Sequence, residues 1–370
     1  MLQGLFITRT TGASVAASIT VQQTNRATSW HSFLLSFIKQ KVLRSIRYSV
    51  ALTLRLTLIL TFLYFGFGLS TANANGEHYA NYLLLEEPIQ PIPQTQPQQM
   101  EIVALGEKLF FDRRLSKNVN LSCADCHKLD HGGADDKNLS IAADGQPTRF
   151  NTPSIFNVAL NSDYYWDAKF NSLELEMEDS ISNLGSNWND IIHRLNSIPE
   201  YRNAFGRIFD SGITKQNLQL SLLSFENSLF TPNSKFDQYL KGDIDALNKY
   251  EATGYHLFKS YGCVSCHQGS NVGGNISIQL DQLPFARKRI ASSINFKSIK
   301  NSAFKRIRVP SLRNVAKTAP YFHDGSVNNL RLAVKLEGRF NSNTEIPENE
   351  VTMLIDFLNS LTGHYKGRSL

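Results

Sequence analysis

All four cysteines of this 370-residue chain fall into two copies of one pattern, C-x-x-C-H, within "LSCADCHKLD" and "SYGCVSCHQG". A thiol pair at that spacing, followed at once by an imidazole, is the attachment pattern of c-type haem. The thiols bond to the two vinyl groups and the histidine ligates the iron from one face. Cys123, Cys126, Cys263 and Cys266 are therefore the expected tethers, with His127 and His267 as proximal ligands of two irons. Other uses of paired cysteines fit less well. A four-cysteine zinc site usually spaces its pairs about 15–20 residues apart, and a thioredoxin-like pair expects a βαβ surrounding. A disulfide across two residues closes too short a loop to stabilise much. Whatever the chain folds into must build a haem crevice at each motif.

The formal charge of +6 looks basic, but Arg9, Arg26, Lys39, Lys41, Arg44, Arg47 and Arg55 lie in a stretch, 1–74, that has no Asp or Glu. Without those seven, the 38 basic residues become 31 against 32 acidic ones, which removes the case for a nucleic-acid partner. The same stretch reads as export: basic residues precede the apolar run "LTLILTFLYFGFGL", and Ala72-Asn73-Ala74 offers a small-x-small cleavage pattern. An uncleaved anchor is the alternative, since "SVALTL" extends the run towards spanning length. Residues 1–48 form an extension long for either, as a misassigned start would leave, and 49–74 are the signal peptide or anchor. Export implies the periplasm, with membrane contact only through an uncleaved 49–70 segment.

Residues 75–100 contain "EEPIQPIPQTQPQQ", a Pro/Gln-rich run with no apolar period, and are expected to be an extended linker. Beyond it the pattern is helical. "MEIVALGEKLFFDRRLS" leads into the first motif and "DALNKYEATGYHLFKSYG" into the second. Val351, Leu354, Ile355, Leu358 and Leu361 form an apolar helical stripe between Pro347 and Gly363, and no long alternating run appears. The expected fold is mainly α: two cytochrome-c-like helical domains, 101–243 and 244–370, each with one covalent haem.

From about Ala104 to Gly363 the chain resembles the bacterial dihaem cytochrome c peroxidases and their relatives that mature methylamine dehydrogenase. The likeness is carried by "LGEKLFFDRRLS", "CADCHKLDHGGAD", "RFNTPSIFNVALN", "YYWDAKF", "FDQYLKGD" and above all "VPSLRNVAKTAPYFHDG". It implies hydrogen peroxide as substrate at the first haem (domain 101–243), electrons entering at the second (244–370) from a small cytochrome or cupredoxin, and compatibility with a homodimer. Trp166 matches a tryptophan between the haems that passes electrons; an ordinary core aromatic is the plainer alternative. Asn151, with the backbone carbonyls of Thr318 and Pro320, matches a calcium site of oxygen ligands, although an asparagine there also suits a turn.

Three departures bear on mechanism. The histidine that closes the first haem in many relatives falls nearest Ala143, in a loop without histidine, which implies an open first iron. The family's proton-handling glutamate falls at Ser186 or Asn183, neither of which is a base. Glu176 lies nearby, where the family has glutamine, with Glu178 and Asp179; a displaced carboxylate is one reading and a solvated helix face in "LELEMED" the other. The second haem's usual methionine or tyrosine ligand falls at Glu337, and losing a thioether lowers a haem potential. Met353 belongs to the terminal stripe instead. The run 286–308, with eight Lys/Arg and no acid, suits docking of an acidic redox partner, a solvated loop or contact with anionic lipid. A peroxidase is the expected activity. A dihaem oxidase of a protein or organic substrate, and a non-enzymatic electron carrier or sensor, are the alternatives.

Overall fold

The computed structural model describes residues 87–94, 99–279, 306–341 and 344–370, together with Thr57. The expected N-terminal extension, the signal or anchor segment apart from Thr57, and the basic run up to Lys305 lie outside the described residues.

Several helices begin where a side chain satisfies their orphan N–H groups. α1 (Met100–Phe110) buries Ile102, Leu105, Leu109 and Phe110 on one face. The short α2 (Cys123–Cys126) carries the first motif. Ser172 caps α3 (Leu173–Asn183), Asn187 caps α4 (Trp188–Asn196), and Pro199 opens α5 (Pro199–Ile208). Thr214 caps α6 (Lys215–Glu226), and reciprocal boxes start α7 (Lys235–Leu240, Ser234 with Asp237) and α8 (Lys249–Ser260, Asn248 with Glu251). α9 (Leu330–Asn341) and α10 (Glu348–Ser360) follow. The expected terminal stripe is found on α10, with Val351, Leu354 and Leu358 buried and Ile355 packed against the same core. β-structure among the described residues is two short ribbons: β1 (Ser277–Gln279) with β2 (Arg306–Arg308), and β3 (His364–Tyr365) with β4 (Arg368–Ser369).

Residues 78–370 cluster as one compact unit, inside which apolar side chains form two cores. One gathers α1 and α3–α6; the other gathers α7, α8 and α10. The same device builds both. α1 lies on α6 at Gly106, where an added Cβ would sit 1.9 Å from Ser221 O, and α8 lies on α10 at Gly254, where it would sit 1.9 Å from Met353 O. Only glycine permits backbones that close.

The frame repeats beyond the helices. Asn157 and Asn314 both take the left-handed conformation, which asparagine tolerates, at matching places in "TPSIFNV" and "VPSLRNV". Their amides converge on buried Thr231: Asn157 Nδ2 and Asn314 Nδ2 donate to its Oγ1 at 2.8 and 2.9 Å.

One expectation needs amending. Residues 87–94 are neither helix nor strand, as a linker would be, but they are not free chain. Ile89 and Ile92 are fully buried, and Ile92 N donates to Asp237 Oδ1 at 3.1 Å. Arg313 Nη2 donates to Gln90 O at 3.0 Å. The Pro/Gln composition hid Ile89, which enters the second core, and Ile92, which is buried beside Asp237. At the opposite end, Tyr365 and Leu370 pack against the first core, so each core takes in chain from beyond the span expected of it.

Candidate active site and haem centres

The two motifs are held in the same way. Asp125 accepts from Ser122 N and Oγ at 2.8 and 2.7 Å, fixing the start of α2, and Arg113 holds that carboxylate from outside at 2.7 Å. His127 N donates to Cys123 O at 2.8 Å and His267 N to Cys263 O at 2.9 Å, so each chain curls back over its first tether. His127 Nδ1 lies 3.2 Å from Gly133 O, and His267 Nδ1 lies 3.3 Å from Val272 O. A carbonyl only accepts, so each Nδ1 carries the proton and each Nε2 keeps its lone pair for a metal. Burial keeps both rings neutral: His127 is held below the ordinary imidazole range and His267 falls to about 4. Gly273 is required beside the second ring, since a Cβ there would sit 2.2 Å from Pro310 O and 3.3 Å from His267 Nδ1.

No disulfide joins the thiols. Burial, with nearby carboxylates adding to it, pushes the Cys123 thiol well up, and burial with Glu337 pushes Cys263 up to about 11. Cys123, Cys126 and His127 line a cavity of about 330 Å³ whose walls include Leu121, Ile155, Val158, Leu173 and Met177. Two thiols, an imidazole with a free Nε2 and an apolar wall fit a covalent haem. His127 is the only histidine among the described residues lining this space. Ala143 is buried, its N–H donating to Asn183 O at 3.0 Å, and its neighbour Ala142 faces the cavity.

Trp166 also lines the cavity. Its Nε1 donates to Asn151 O at 2.9 Å, and its ring meets His323 edge-on at 6.5 Å. Arg308, on β2, braces this turn: its backbone N–H donates to Trp166 O at 2.8 Å and its Nε to Tyr165 O at 3.1 Å. Burial lowers the Arg308 guanidinium to about 10, with Asp163 opposing the fall.

Along the helix "LELEMED", Glu174 and Leu175 are exposed whereas Glu176 is half-buried. Helical spacing places Glu176, Ser180 and Asn183 along one stripe of α3, and all three line the cavity. Ser180 Oγ donates to Glu176 Oε1 at 2.6 Å. Burial is the main cause raising the Glu176 carboxyl to about 7, the Ser180 hydrogen bond opposes it, and Asp179 adds to it. From α6 across the cavity comes Glu226, only 8% exposed, which burial and the nearby Glu176 hold well above the carboxylate range. Sequence reasoning missed Glu226. The signal was a lone acid in the otherwise uncharged "LQLSLLSFENSL", on the helix that packs against α1.

The other expected residues are placed as follows. Ser186 lies off the cavity, and Glu178 is taken by Lys215 at 2.6 Å and Trp188 Nε1 at 2.8 Å. Asp179 pairs with Lys169 at 2.7 Å at the cavity rim. Glu337, on α9, acts electrostatically on Cys263 and so stands beside the second tether. Asn151 Nδ2 is committed to the carbonyls of Lys137 and Asn138, at 3.0 and 3.2 Å, while its N–H bonds His323 O at 2.8 Å. That last bond draws Asn151 to the loop that follows Thr318 and Pro320.

Comparison with known proteins agrees with this geometry. A family model described as di-haem cytochrome c peroxidase matches residues 100–245. The cytochrome c551 peroxidase of Nitrosomonas europaea is 37% identical over 290 residues, covering 77% of this chain and 86% of that protein. The cytochrome c551 peroxidase of Pseudomonas aeruginosa is 35% identical, over 74% of this chain and 84% of its own. Among solved structures, a MauG-like protein associated with microbial copper homeostasis shares the fold, with a TM-score of 0.63 at 24% identity over 75% of this chain and 93% of that one. Two haem-binding motifs in a shared helical frame, with relatives this similar along most of the length, show that the chain belongs to the di-haem cytochrome c peroxidase family.

Proposed function

We propose that hydrogen peroxide is reduced to water in the cavity beside His127, with electrons delivered by a small cytochrome or cupredoxin on the His267 side. The chain is a haem peroxidase, and its relatives over most of its length are cytochrome c peroxidases. Bound at the two sites, haem supplies one-electron redox chemistry and, at the first iron, the position that peroxide takes. The observation that carries the assignment is one cavity holding Cys123, Cys126, His127, Trp166 and Glu176 together.

The chain's own groups divide the remaining work. His127 and His267, oriented by their Nδ1 hydrogen bonds, present neutral imidazoles. Trp166, fixed by Asn151 and Arg308, is the aromatic we assign to electron passage between the haem sites. Reducing peroxide to two waters consumes two protons, and Glu176 is the group we assign to move them. A carboxyl at about 7 is close to half-protonated at neutral pH, the condition in which it both gives and takes protons readily. That His127 is the one histidine lining the cavity among the described residues supports a first haem that needs no prior opening. Glu337 is the residue we assign as a further ligand of the second iron, where its carboxylate would supply an oxygen donor. Asn151 Oδ1, with the carbonyls of Thr318 and Pro320, is the oxygen set we assign to calcium. The basic, acid-free leader supports periplasmic location.

The test is steady-state turnover of purified holoprotein with reduced cytochrome c. Peroxide-dependent oxidation well above an equal amount of free haem is expected, and a rate no higher than that control overturns the assignment.

A further inference from the structure

Every turnover consumes two protons, and the group assigned to handle them sits inside the protein, so a route from solvent is required. α3 and the turn before it provide one. Ser180 Oγ donates to Glu176 Oε1 at 2.6 Å, Tyr165 OH lies 3.3 Å from Ser180 Oγ, and Asn183 Nδ2 donates to Tyr165 OH at 3.4 Å. Asn183 is exposed and Glu176 is half-buried in the cavity wall, so the row runs from solvent inwards. The directions agree: with Ser180 donating to the carboxylate, its oxygen is free to accept the tyrosine proton.

Tyr165 is held in place at some strain. Its φ is 63°, a left-handed conformation seldom adopted by an aromatic residue. Arg308, 4% exposed, grips its carbonyl and that of Trp166 from the other side. Arg308 thus holds the turn at two points, its guanidinium at the Tyr165 carbonyl and its backbone N–H at the Trp166 carbonyl.

We propose that Ser180 and Tyr165 are a proton relay that carries protons from solvent at Asn183 to the Glu176 carboxylate. It rests on the reading of Glu176 as the proton-handling group. In each transfer Glu176 gives its proton to peroxide oxygen; the Ser180 proton then moves to the carboxylate, the Tyr165 proton to Ser180, and a proton from water to Tyr165. Two transfers and two electrons from the redox partner convert one peroxide to two waters. Burial holds the Tyr165 phenol far above its usual range, so the phenolate does not accumulate and the hops move together. Glu226 lines the same cavity from α6 and acts on Glu176 electrostatically, outside the row.

The test does not need turnover. In holoprotein, infrared difference spectra across pH 5–9 give the protonated-carboxyl band that Glu176→Gln removes, and photolysis of a caged acid times its return. Wild type and Ser180→Thr should refill the band at similar rates, whereas Ser180→Ala and Tyr165→Phe should be at least tenfold slower. Peroxide turnover should fall in the same order, with a larger solvent isotope effect in the slow variants. Refilling at the wild-type rate in both Ser180→Ala and Tyr165→Phe overturns the relay while leaving Glu176 in its role. A spectrum with no band that Glu176→Gln removes overturns the role of Glu176, and the relay with it.

Discussion

Replacing Glu176 by glutamine makes the protein's stability report on that carboxyl. The substitution keeps the shape and the hydrogen bond, since Ser180 donates equally well to an amide oxygen. The folded protein binds the Glu176 proton up to about pH 7, whereas the unfolded chain releases it near 4.5. Below 4.5 both states are protonated and the group is neutral in the balance. Between 4.5 and about 7 the unfolded state releases its proton while the folded state does not, so unfolding gains as pH rises; above 7 the penalty is complete. The span between 4.5 and about 7 corresponds to about 3 kcal/mol, at 1.36 kcal/mol per pH unit. Glutamine removes it. Glu226 then loses a neighbour that helps hold its own proton, which reduces its penalty in the same direction. Glu176→Gln should therefore match wild type near pH 4 and exceed it by about 3 kcal/mol at pH 8. Guanidinium unfolding of holoprotein at both pH values, followed by far-ultraviolet circular dichroism, measures the difference. An equal gap at pH 4 and pH 8 would refute the argument, because only an ionising group makes the gap depend on pH.

Other substitutions test the frame. Arg313 and Asp237 form an ion pair with both side chains fully buried, 2.9 Å apart, and Arg313→Met leaves the carboxylate unpaired; urea unfolding should show a loss of about 3–5 kcal/mol, and a loss under about 1 would contradict the burial. Gly254→Ala pushes a methyl against Met353 O and should cost about 1–3 kcal/mol or more, whereas Gly206→Ala, with nothing within 4 Å, should add about 0.5–1 in the same assay. Cys123→Ala/Cys126→Ala and Cys263→Ala/Cys266→Ala should each lower the mass of the denatured holoprotein by one haem, and retention of both would refute the tether assignment. Glu337→Ala should change the resting optical spectrum of the second haem and leave the first unchanged; an unaltered spectrum removes Glu337 from that iron.

The haem tethers were legible because their chemistry is local: two thiols and an imidazole within five consecutive residues specify one cofactor. The helices were legible because apolar stripes and caps are local too, as on α10. What could not be read is what the tertiary fold brings together. Glu176 and Glu226 are 50 positions apart on helices that meet across the cavity. Counting along the chain placed the family's glutamate at Asn183 or Ser186 and left Glu176 between two readings, a displaced carboxylate or a solvated helix face. The helix instead turns the carboxyl inwards two turns before Asn183 and fills that place with a hydrogen-bonding amide. Composition hid the role of 87–94, whose prolines suggested free chain while Ile89 entered a core and Ile92 was buried beside Asp237.

Both haem sites are built on one frame: a glycine-closed helix pair, a motif curling onto its first cysteine, an Nδ1 held by a carbonyl, and an asparagine in left-handed conformation bonded to Thr231. A frame used twice cannot by itself explain why one haem would meet peroxide and the other a redox protein. That difference has to come from side chains the frame does not need. Around His127 these are Glu176, Glu226, Ser180 and a strained Tyr165, two carboxyls and two hydroxyls lining one cavity. Beside Cys263 stands Glu337, on a helix that follows the "APYFHDG" segment. Exchanging these side chains between frames should therefore move reactivity while leaving both haems attached, because neither tether nor proximal histidine depends on them.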